Sequence, residues 1–282
     1  MKSHLIACFI FVAGATAANA DELPRFERKI QPAPAKPPAT TPENDDTECR
    51  DRWVREHAGE EMPVGYCEQN LEGDLMAPVI GIIFLSPFYV PALAVGDQYG
   101  RDFKFRSYPY ENNTGYASSK GKQWLFEAGG GYQWVSHDLK ATRGFLSATT
   151  DTRLGLDLGY MRYDEHADDE NHSLAFLDIV PTFAFARTER WDWRFGVGYQ
   201  AIQGQNHHDR VKLTYKIRRY FQFPLHLDLD FGVSLASGKP IFELAPGIAY
   251  HWNRFALKAG YRRINISDVV LEGPELSLAI WF

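Results

Sequence analysis

The sequence is poor in cysteine, with three in 282 residues. Cys8 lies in an apolar leader, which leaves Cys49 and Cys67 for the rest of the chain. Neither belongs to a cluster with zinc-ligand spacing, and the sequence also lacks a phosphate-binding loop and a dinucleotide fingerprint. Nothing in the chain therefore implies a cofactor, and none is expected.

A large excess of one sign of charge is missing as well. The net charge is −6, and acidic and basic residues are interspersed, so the chain has no basic face for nucleic acid. Nucleic-acid binding is thereby excluded as a function. Although 45% of the residues are hydrophobic, the mean hydropathy is only −0.34, which argues against a bundle of membrane-spanning helices.

The N-terminus has the pattern of a secretory signal peptide over residues 1–20. Lys2 precedes an apolar stretch, and small residues end at Ala20, so cleavage is expected before Asp21. In an oxidising compartment Cys49 and Cys67 can pair only with each other, and a disulfide between them is predicted. Two unrelated buried thiols are the alternative.

Two segments follow the leader. Residues 21–47 are rich in Pro, Ala, Thr and charge, and they are predicted to be a disordered periplasmic linker. Residues 48–122 are predicted to be a small periplasmic segment stapled by the disulfide. This segment contains an uncharged run over residues 76–95 whose interior prolines disfavour a regular helix. The run is interpreted as an interfacial anchor or a plug, with a packed extended segment or a transmembrane helix as alternatives.

From residue 123 onward, apolar side chains recur at every second position. This alternation is typical of strands with two unlike faces. One segment, residues 140–148, alternates poorly, but a strand is needed there to bring the chain back across the barrel between the first segment and the one that starts at Thr152. Together the segments predict an all-β fold, an antiparallel up-and-down transmembrane β-barrel over residues 123–282. About ten strands are expected, or about eight if two short segments merge.

The connections between these segments are expected to alternate between short turns and longer polar loops, which would be extracellular. The polar loops are predicted at residues 166–172, 204–209 and 269–274. The first two carry possible ligands for a divalent cation: His166, Asp168, Asp169, Glu170, His172, His207, His208 and Asp209. Nothing in the spacing fixes their geometry, and hydrophilic loops are the commoner explanation, so no metal site is predicted.

An alternating pattern fits a membrane barrel with apolar residues outside and a soluble barrel with apolar residues inside. Aromatic residues near segment ends, such as Trp124 and Trp252, favour the membrane barrel. The lumen then holds acids and bases in equal number, which predicts a closed polar core and not a wide pore. These residues are Glu127, Asp157, Asp178, Asp192, Asp228, Asp230 and Glu243 against Arg153, Arg194, Lys212, Lys216, Arg218, Lys258 and Arg262.

The last strand ends with Leu276, Leu278, Ile280 and the terminal Phe282 at alternate positions. This pattern resembles the C-terminal signature of Gram-negative outer-membrane β-barrel proteins. Residues 100–282 are similar to small barrels of that class, including a group of uncharacterised function. The resemblance implies an outer-membrane location, contact with membrane lipid and lipopolysaccharide, and assembly by the outer-membrane insertion machinery with Phe282 as the signal. It carries over no activity and names no extracellular or periplasmic partner.

A polar group on one segment suggests chemistry. His226, Asp228 and Asp230 lie at every second position of one strand, His251 lies on the following strand, and Ser234 is nearby in sequence. A carboxylate, an imidazole and a hydroxyl of this kind could serve acyl transfer. The alternative is a polar network inside the barrel. Three hypotheses therefore stay open: a structural, surface-interaction or ligand-binding barrel without catalysis, a lipid-modifying hydrolase, and a narrow channel.

Overall fold

The structure is a computed structural model that describes residues 22–30, 89–97, 103–111, 115–118, 121–166, 171–236 and 239–282. The signal peptide, Cys49, Cys67 and most of the linker and the stapled segment lie outside these residues. The predictions made for them stay predictions.

Ten of the strands close into one antiparallel barrel, which confirms the predicted all-β, up-and-down fold. Each of these strands pairs with its neighbours in sequence, and the last pairs with the first. In chain order the elements are α1 (Glu22–Ile30), β1 (Lys104–Phe105), β2 (Ala117–Ser118), β3 (Trp124–Trp134), β4 (Leu139–Thr150), β5 (Leu154–His166), β6 (Asn171–Arg187), β7 (Trp191–Gln203), β8 (His207–Tyr220), β9 (Leu225–Leu235), β10 (Ile241–Trp252), β11 (Phe255–Ile266) and β12 (Val269–Trp281). The barrel consists of β3 to β12, while β1 and β2 form a separate small sheet.

The two ends of the barrel differ in what lies there. We call the end where β3 begins and β12 ends the near mouth, and the opposite end the far mouth. Polar loops at the far mouth are shorter than predicted. Because β8 already begins at His207 and β12 at Val269, only residues 204–206 and 267–268 remain as connections there. Residues that are predicted in the polar loops instead continue the backbone ladder of the strands, as His207 does opposite Gln203.

The outer wall of the barrel is apolar. Large side chains at every second position are exposed on it, among them Trp124, Val211 and Leu278. The poorly alternating strand β4 is explained by its inward side, where Leu139 and Ala141 are apolar as well. These inward-facing residues are apolar because they contact a plug at the far mouth. The interior of the barrel is therefore not polar along its whole length.

The plug at the far mouth is α1, which corrects the prediction of a linker without structure. Leu23 and Phe26 lie three positions apart on one face of α1 and are almost fully buried. They pack among inward-facing side chains of the barrel: Leu139, Ala141, Met161, Tyr163, Leu174, Phe176, Ile202, Ile241, Ile264, Ile266, Val269 and Leu271. Burial of each such side chain contributes about 1.5–3 kcal/mol. Pro24 is tolerated because the first turn of a helix needs no amide hydrogen there.

Polar contacts at the rim hold α1 in this position. The backbone N–H of Leu23 donates to Glu165 Oε2 at 3.3 Å, and Lys29 Nζ is 2.8 Å from Asp268 Oδ1. Glu27 Oε1 accepts a hydrogen bond from the backbone N–H of Gln205 at 2.7 Å. This end of the barrel is opposite to the one where β3 begins and β12 ends.

A second plug fills the near mouth and contains β1 and β2. Phe105, Tyr116 and Ala117 are fully buried there against inward-facing wall residues such as Tyr220 and Trp281. The rings of Tyr116 and Tyr220 stack with centroids 4.6 Å apart. The barrel therefore has an apolar layer at each end and a polar layer between them.

Residues 89–97 lie outside the barrel, on its wall beside the near mouth. Ala92 is buried against Phe185 and Ala186 of β6. Within the described ranges, no helix has both the length and the apolar character needed to cross a membrane.

Candidate functional site

The predicted lumen residues lie together in the polar layer between the two plugs. The structure places against the lumen Glu127, Asp157, Asp178, Asp192, Arg194, Lys212, Lys216, Arg218, Asp228, Asp230, Glu243, Lys258 and Arg262. The cavity that they surround has a volume of about 100 Å³. This is room for several water molecules, but it is far smaller than an open channel through the barrel.

On one side of the cavity, Lys212 lies between two carboxylates. Its Nζ is 2.6 Å from Asp178 Oδ2 and 2.8 Å from Glu243 Oε2. Arg262 then joins Glu243 to Glu275, and its Nε is 2.5 Å from Glu275 Oε2. The side chains of Lys212 and Arg262 are only 7% and 2% exposed. Their positive charges are therefore balanced by the adjacent carboxylates and not by bulk water.

Nearer to the near mouth, Arg218 connects two strands through ion pairs. Its Nη1 is 2.7 Å from Glu127 Oε2, and its Nε is 2.9 Å from Asp228 Oδ1. Lys258 Nζ approaches the other oxygen of Asp228 at 2.9 Å. The guanidinium also lies 5.3 Å from the ring centre of Trp281, within the range of a cation–π contact. This cluster ties the polar layer to the near plug.

A third group of charges comes from strands β4, β5, β7 and β8. Lys216 Nζ is 2.7 Å from Asp157 Oδ2, and the Ser147 hydroxyl donates to Asp157 Oδ1 at 2.6 Å. Arg194 forms an ion pair with Asp192, and both are buried. The three groups together make the polar layer a set of mutually neutralised charges.

Asp230 differs from the other lumen acids. Its Oδ1 is buried, and no hydrogen bond reaches that oxygen from the described part of the chain. Lys216 is its partner in the strand register, but the ammonium of Lys216 contacts Asp157 instead. Among the described residues, Asp230 is thus a lumen carboxylate without an ion pair.

Arg143 and Glu275 are charged lumen residues that the sequence-based set lacks, and one member of that set lies elsewhere. Arg143 Nη1 is 3.1 Å from Glu275 Oε1, inside the barrel. Alternation with the outward Leu276 could have placed Glu275, whereas Arg143 lies in the irregular β4. Arg153 is wrong as a lumen base. It lies in the turn before β5 with a φ of 74°, and its Nη1 is 2.7 Å from Asp97 Oδ2.

The residues considered for acyl transfer do not form a catalytic group. His226 Nδ1 is 2.5 Å from His251 Nε2, and His226 Nε2 is 3.2 Å from Asp228 Oδ2. Ser234 lies on the same strand roughly 26 Å from His226, at about 3.3 Å per residue. It is next to Lys212 and Ile241, towards the far mouth. The hydroxyl is therefore far out of reach of either imidazole, and all of these side chains face the lumen.

The near plug covers the histidine pair. The ring centre of Tyr110 is 5.0 Å from that of His251, and the Tyr110 hydroxyl donates to the backbone oxygen of Leu225. Burial raises the pKa of both Tyr110 and Tyr116, so both phenols stay neutral. The pair is thus closed off by uncharged aromatic rings, which fits a polar network better than a hydrolytic site open to lipid.

Among the loop residues considered for metal binding, those that the structure describes do not meet in a cluster. Asp168, Asp169 and Glu170 lie outside the described residues. His207 Nε2 is 2.9 Å from Asp209 Oδ1. In the ranges that the structure covers, no three His, Cys, Asp or Glu side chains are placed to share a metal ion.

Comparisons with known proteins find similarity only among solved structures. No family model and no curated protein matches the chain. The translocator domain of the autotransporter NalP from Neisseria meningitidis is 11% identical and matches with a TM-score of 0.33 over 58% of this chain and 90% of that one. The N-terminal β-barrel domain of Pseudomonas aeruginosa OprF is 14% identical, with a TM-score of 0.27 over 58% and 100%. Neisserial surface protein A is 15% identical, with a TM-score of 0.27 over 57% and 96%.

Proposed function

We propose that the chain is an outer-membrane β-barrel with a closed lumen and a structural, surface-interaction or small-ligand-binding role. The observation that supports it best is the inversion of polarity across the wall. Charged side chains fill the lumen, and exposed large apolar side chains cover the outside. A soluble barrel would require the reverse.

The outer wall is suited to acyl chains. Trp124, Val211 and Leu278 are each more than half exposed, and they belong to a band of such residues around the barrel. A contiguous apolar surface of this extent is rare on soluble monomers. In a bilayer the same surface is stabilised by lipid, while the closed strand ladder leaves no unpaired backbone edge.

The lumen supports a barrel that does not conduct at rest. Plugs close both mouths, and ion pairs fill the layer between them. A narrow channel would have to pass ions through a cavity of about 100 Å³ whose charges neutralise each other. The channel hypothesis is therefore the less supported alternative.

Membrane lipid, lipopolysaccharide and the outer-membrane insertion machinery belong to this proposal as partners. Phe282 supports it through its place at the seam of the barrel. Its backbone N–H and oxygen exchange hydrogen bonds of 3.0 Å with Phe126, and the two rings stack with centroids 5.7 Å apart. An aromatic residue at the closing strand pair is well placed to act in assembly.

The lipid-hydrolase alternative has a direct test. Purified, folded protein is incubated with phospholipid and lipid A esters, and the His226→Ala and His251→Ala variants serve as matched controls. We expect no hydrolysis above that of the variants. Ester hydrolysis lost in both variants would replace the proposed function by the enzymatic one.

The proposed function itself is tested by membrane fractionation and by gel mobility of unheated against boiled samples. We expect outer-membrane material with a heat-dependent shift in mobility. The same protein in planar bilayers should give no unitary conductance. Soluble or inner-membrane material without a shift would contradict the location, and regular conductance steps would contradict the closed lumen.

A further inference from the structure

Residues 89–94 form a short helix that lies on the outer wall of the barrel. Ala92 is buried against Phe185 and Ala186, and Val95 packs beside it. Pro91 is also on the buried side. The helix therefore has one side against the wall and the opposite side directed away from the protein.

The side directed away from the wall is apolar. Tyr89 and Leu93 are each 67% exposed, and Val90 is 58% exposed. Leu93 lies four positions after Tyr89 and three after Val90, and side chains at these two spacings share one side of a helix, so Leu93 joins the three into one face. The sequence carries no charge between Asp74 and Asp97. In water this face would be an unfavourable apolar patch.

The helix ends in a motif that fixes its position. Gly96 has a φ of 69°, which glycine adopts without a steric penalty. Its N–H donates to the oxygen of Leu93 at 3.1 Å, and the N–H of Asp97 donates to the oxygen of Ala92 at 2.9 Å. This pair of bonds is a Schellman motif, and it places Asp97 at the end of the helix.

The wall has a receptor for Asp97. Arg153 Nη1 and Nη2 donate to the two carboxylate oxygens at 2.7 and 2.8 Å, and the backbone N–H of Arg187 donates at 2.8 Å. The Asp97 side chain is only 2% exposed. Arg153 has a positive φ, and the register of β6 shifts between Ala184 and Ala186. Backbone irregularities on two strands thus meet at this clamp, which holds the helix at one height on the barrel.

The helix lies level with a group of aromatic side chains at the rim of the near mouth. Trp191 and Trp193 lie on the outside of β7 at this end, and the Arg219 guanidinium is 4.9 Å from the Trp191 ring centre. Tryptophan and snorkelling arginine are typical of the boundary between acyl chains and headgroups. The exposed face of the helix also continues the apolar outer wall, represented by Val197.

We propose that residues 89–94 are a membrane anchor that contacts phospholipid acyl chains at the near-mouth interface. The inference rests on the proposed function, because it requires the wall to be in a bilayer. Acyl chains fit as the occupant because the face is apolar, uncharged and continuous with the lipid-facing wall. A second copy of the chain would have to compete with lipid for the same side of the barrel.

Photo-crosslinking tests this contact. Benzoylphenylalanine is incorporated at Leu93, at Val197 as the lipid-facing control and at Glu189 in an exposed turn as the aqueous control. Each full-length protein is refolded into vesicles that contain radiolabelled phosphatidylethanolamine and is irradiated. We expect the Leu93 position to take up lipid to an extent comparable with Val197 and several-fold above Glu189. A further Asp97→Asn change should lower the uptake at Leu93 and leave Val197 unchanged.

The outcomes separate the anchor from the barrel. Labelling at Val197 with only the Glu189 level at Leu93 would overturn the anchor and leave the proposed function intact. Absence of labelling at both Val197 and Leu93 would overturn the membrane location and the anchor together. A crosslink from Leu93 to a second protein chain in place of lipid would also overturn the anchor.

Discussion

Arg218 is a buried charge of the lumen that is balanced by ion pairs with other strands. Its guanidinium contacts two carboxylates, from Glu127 and Asp228, and its side chain is only 12% exposed. Replacement by methionine keeps much of the packing but leaves both acids without this partner. Breaking a buried pair in this way costs about 3–5 kcal/mol.

We therefore predict that Arg218→Met is strongly destabilised and that Arg219→Met is nearly neutral. Arg219 is the matched control because it is the next residue on β8 but lies on the outer face. Urea unfolding of the lipid-embedded protein, followed by the mobility of unheated samples, measures the difference. Equal unfolding midpoints for the two variants would mean that the lumen pairs contribute no net stability.

Side-chain direction could be predicted from the sequence, whereas ion-pair partners could not. A period of two assigns a face to each residue, and this is enough to put Asp178 and Lys212 in the lumen. Their pairing depends on strand register and barrel closure, which bring together residues far apart in the sequence. Arg153 shows the limit of alternation, because in a turn the side chain no longer follows the pleat of the strand.

The alternation of apolar and polar residues does not predict the two plugs. An alternating strand pattern contrasts an apolar face with a polar one, but Leu139 and Ala141 of β4 are apolar and face inward to contact α1. The contrast is lost where an apolar plug meets the wall. A signal for α1 was present in the spacing of Leu23 and Phe26, although the charged residues around them resemble a disordered segment.

The docking of α1 should depend on pH through Asp268. The hydrogen bond from Lys29 lowers the pKa of Asp268 to about 2, below the value of about 3.9 for a free aspartate. A carboxyl group with a lowered pKa stabilises the docked state when the pH is above the pKa of the free group. This contribution disappears as the pH falls from about 4 to about 2. We predict that α1 is released more easily over this window.

Pepsin provides the measurement, because it works in acid and cleaves near Leu and Phe. The ratio of cleavage rates at α1 between Asp268→Asn and the unchanged protein removes the pH dependence of the protease. This ratio should exceed one at about pH 4.5 and approach one at about pH 2. A ratio that stays at one throughout would show that the Lys29 contact does not hold α1.

The whole molecule is a barrel closed in three layers. Apolar plugs close the two mouths, and the ion-pair layer with its small cavity lies between them. Both plugs come from the sequence before β3, but they lie far apart along the barrel axis. The first described residues after α1, 89–97, lie beside the near mouth.

The positions of the two plugs lead to a prediction about topology. Barrels of this class have short turns on the periplasmic side, and the termini of an even-stranded barrel lie on that side too. The near mouth of this barrel would then face the periplasm and α1 the cell exterior. An epitope tag inserted directly before Glu22 should bind antibody on intact cells, whereas a tag after Glu189 at the near mouth should bind only after permeabilisation. If both tags need permeabilisation, α1 does not occupy the far mouth in the cell. If only the Glu189 tag is exposed on intact cells, the barrel has the opposite orientation.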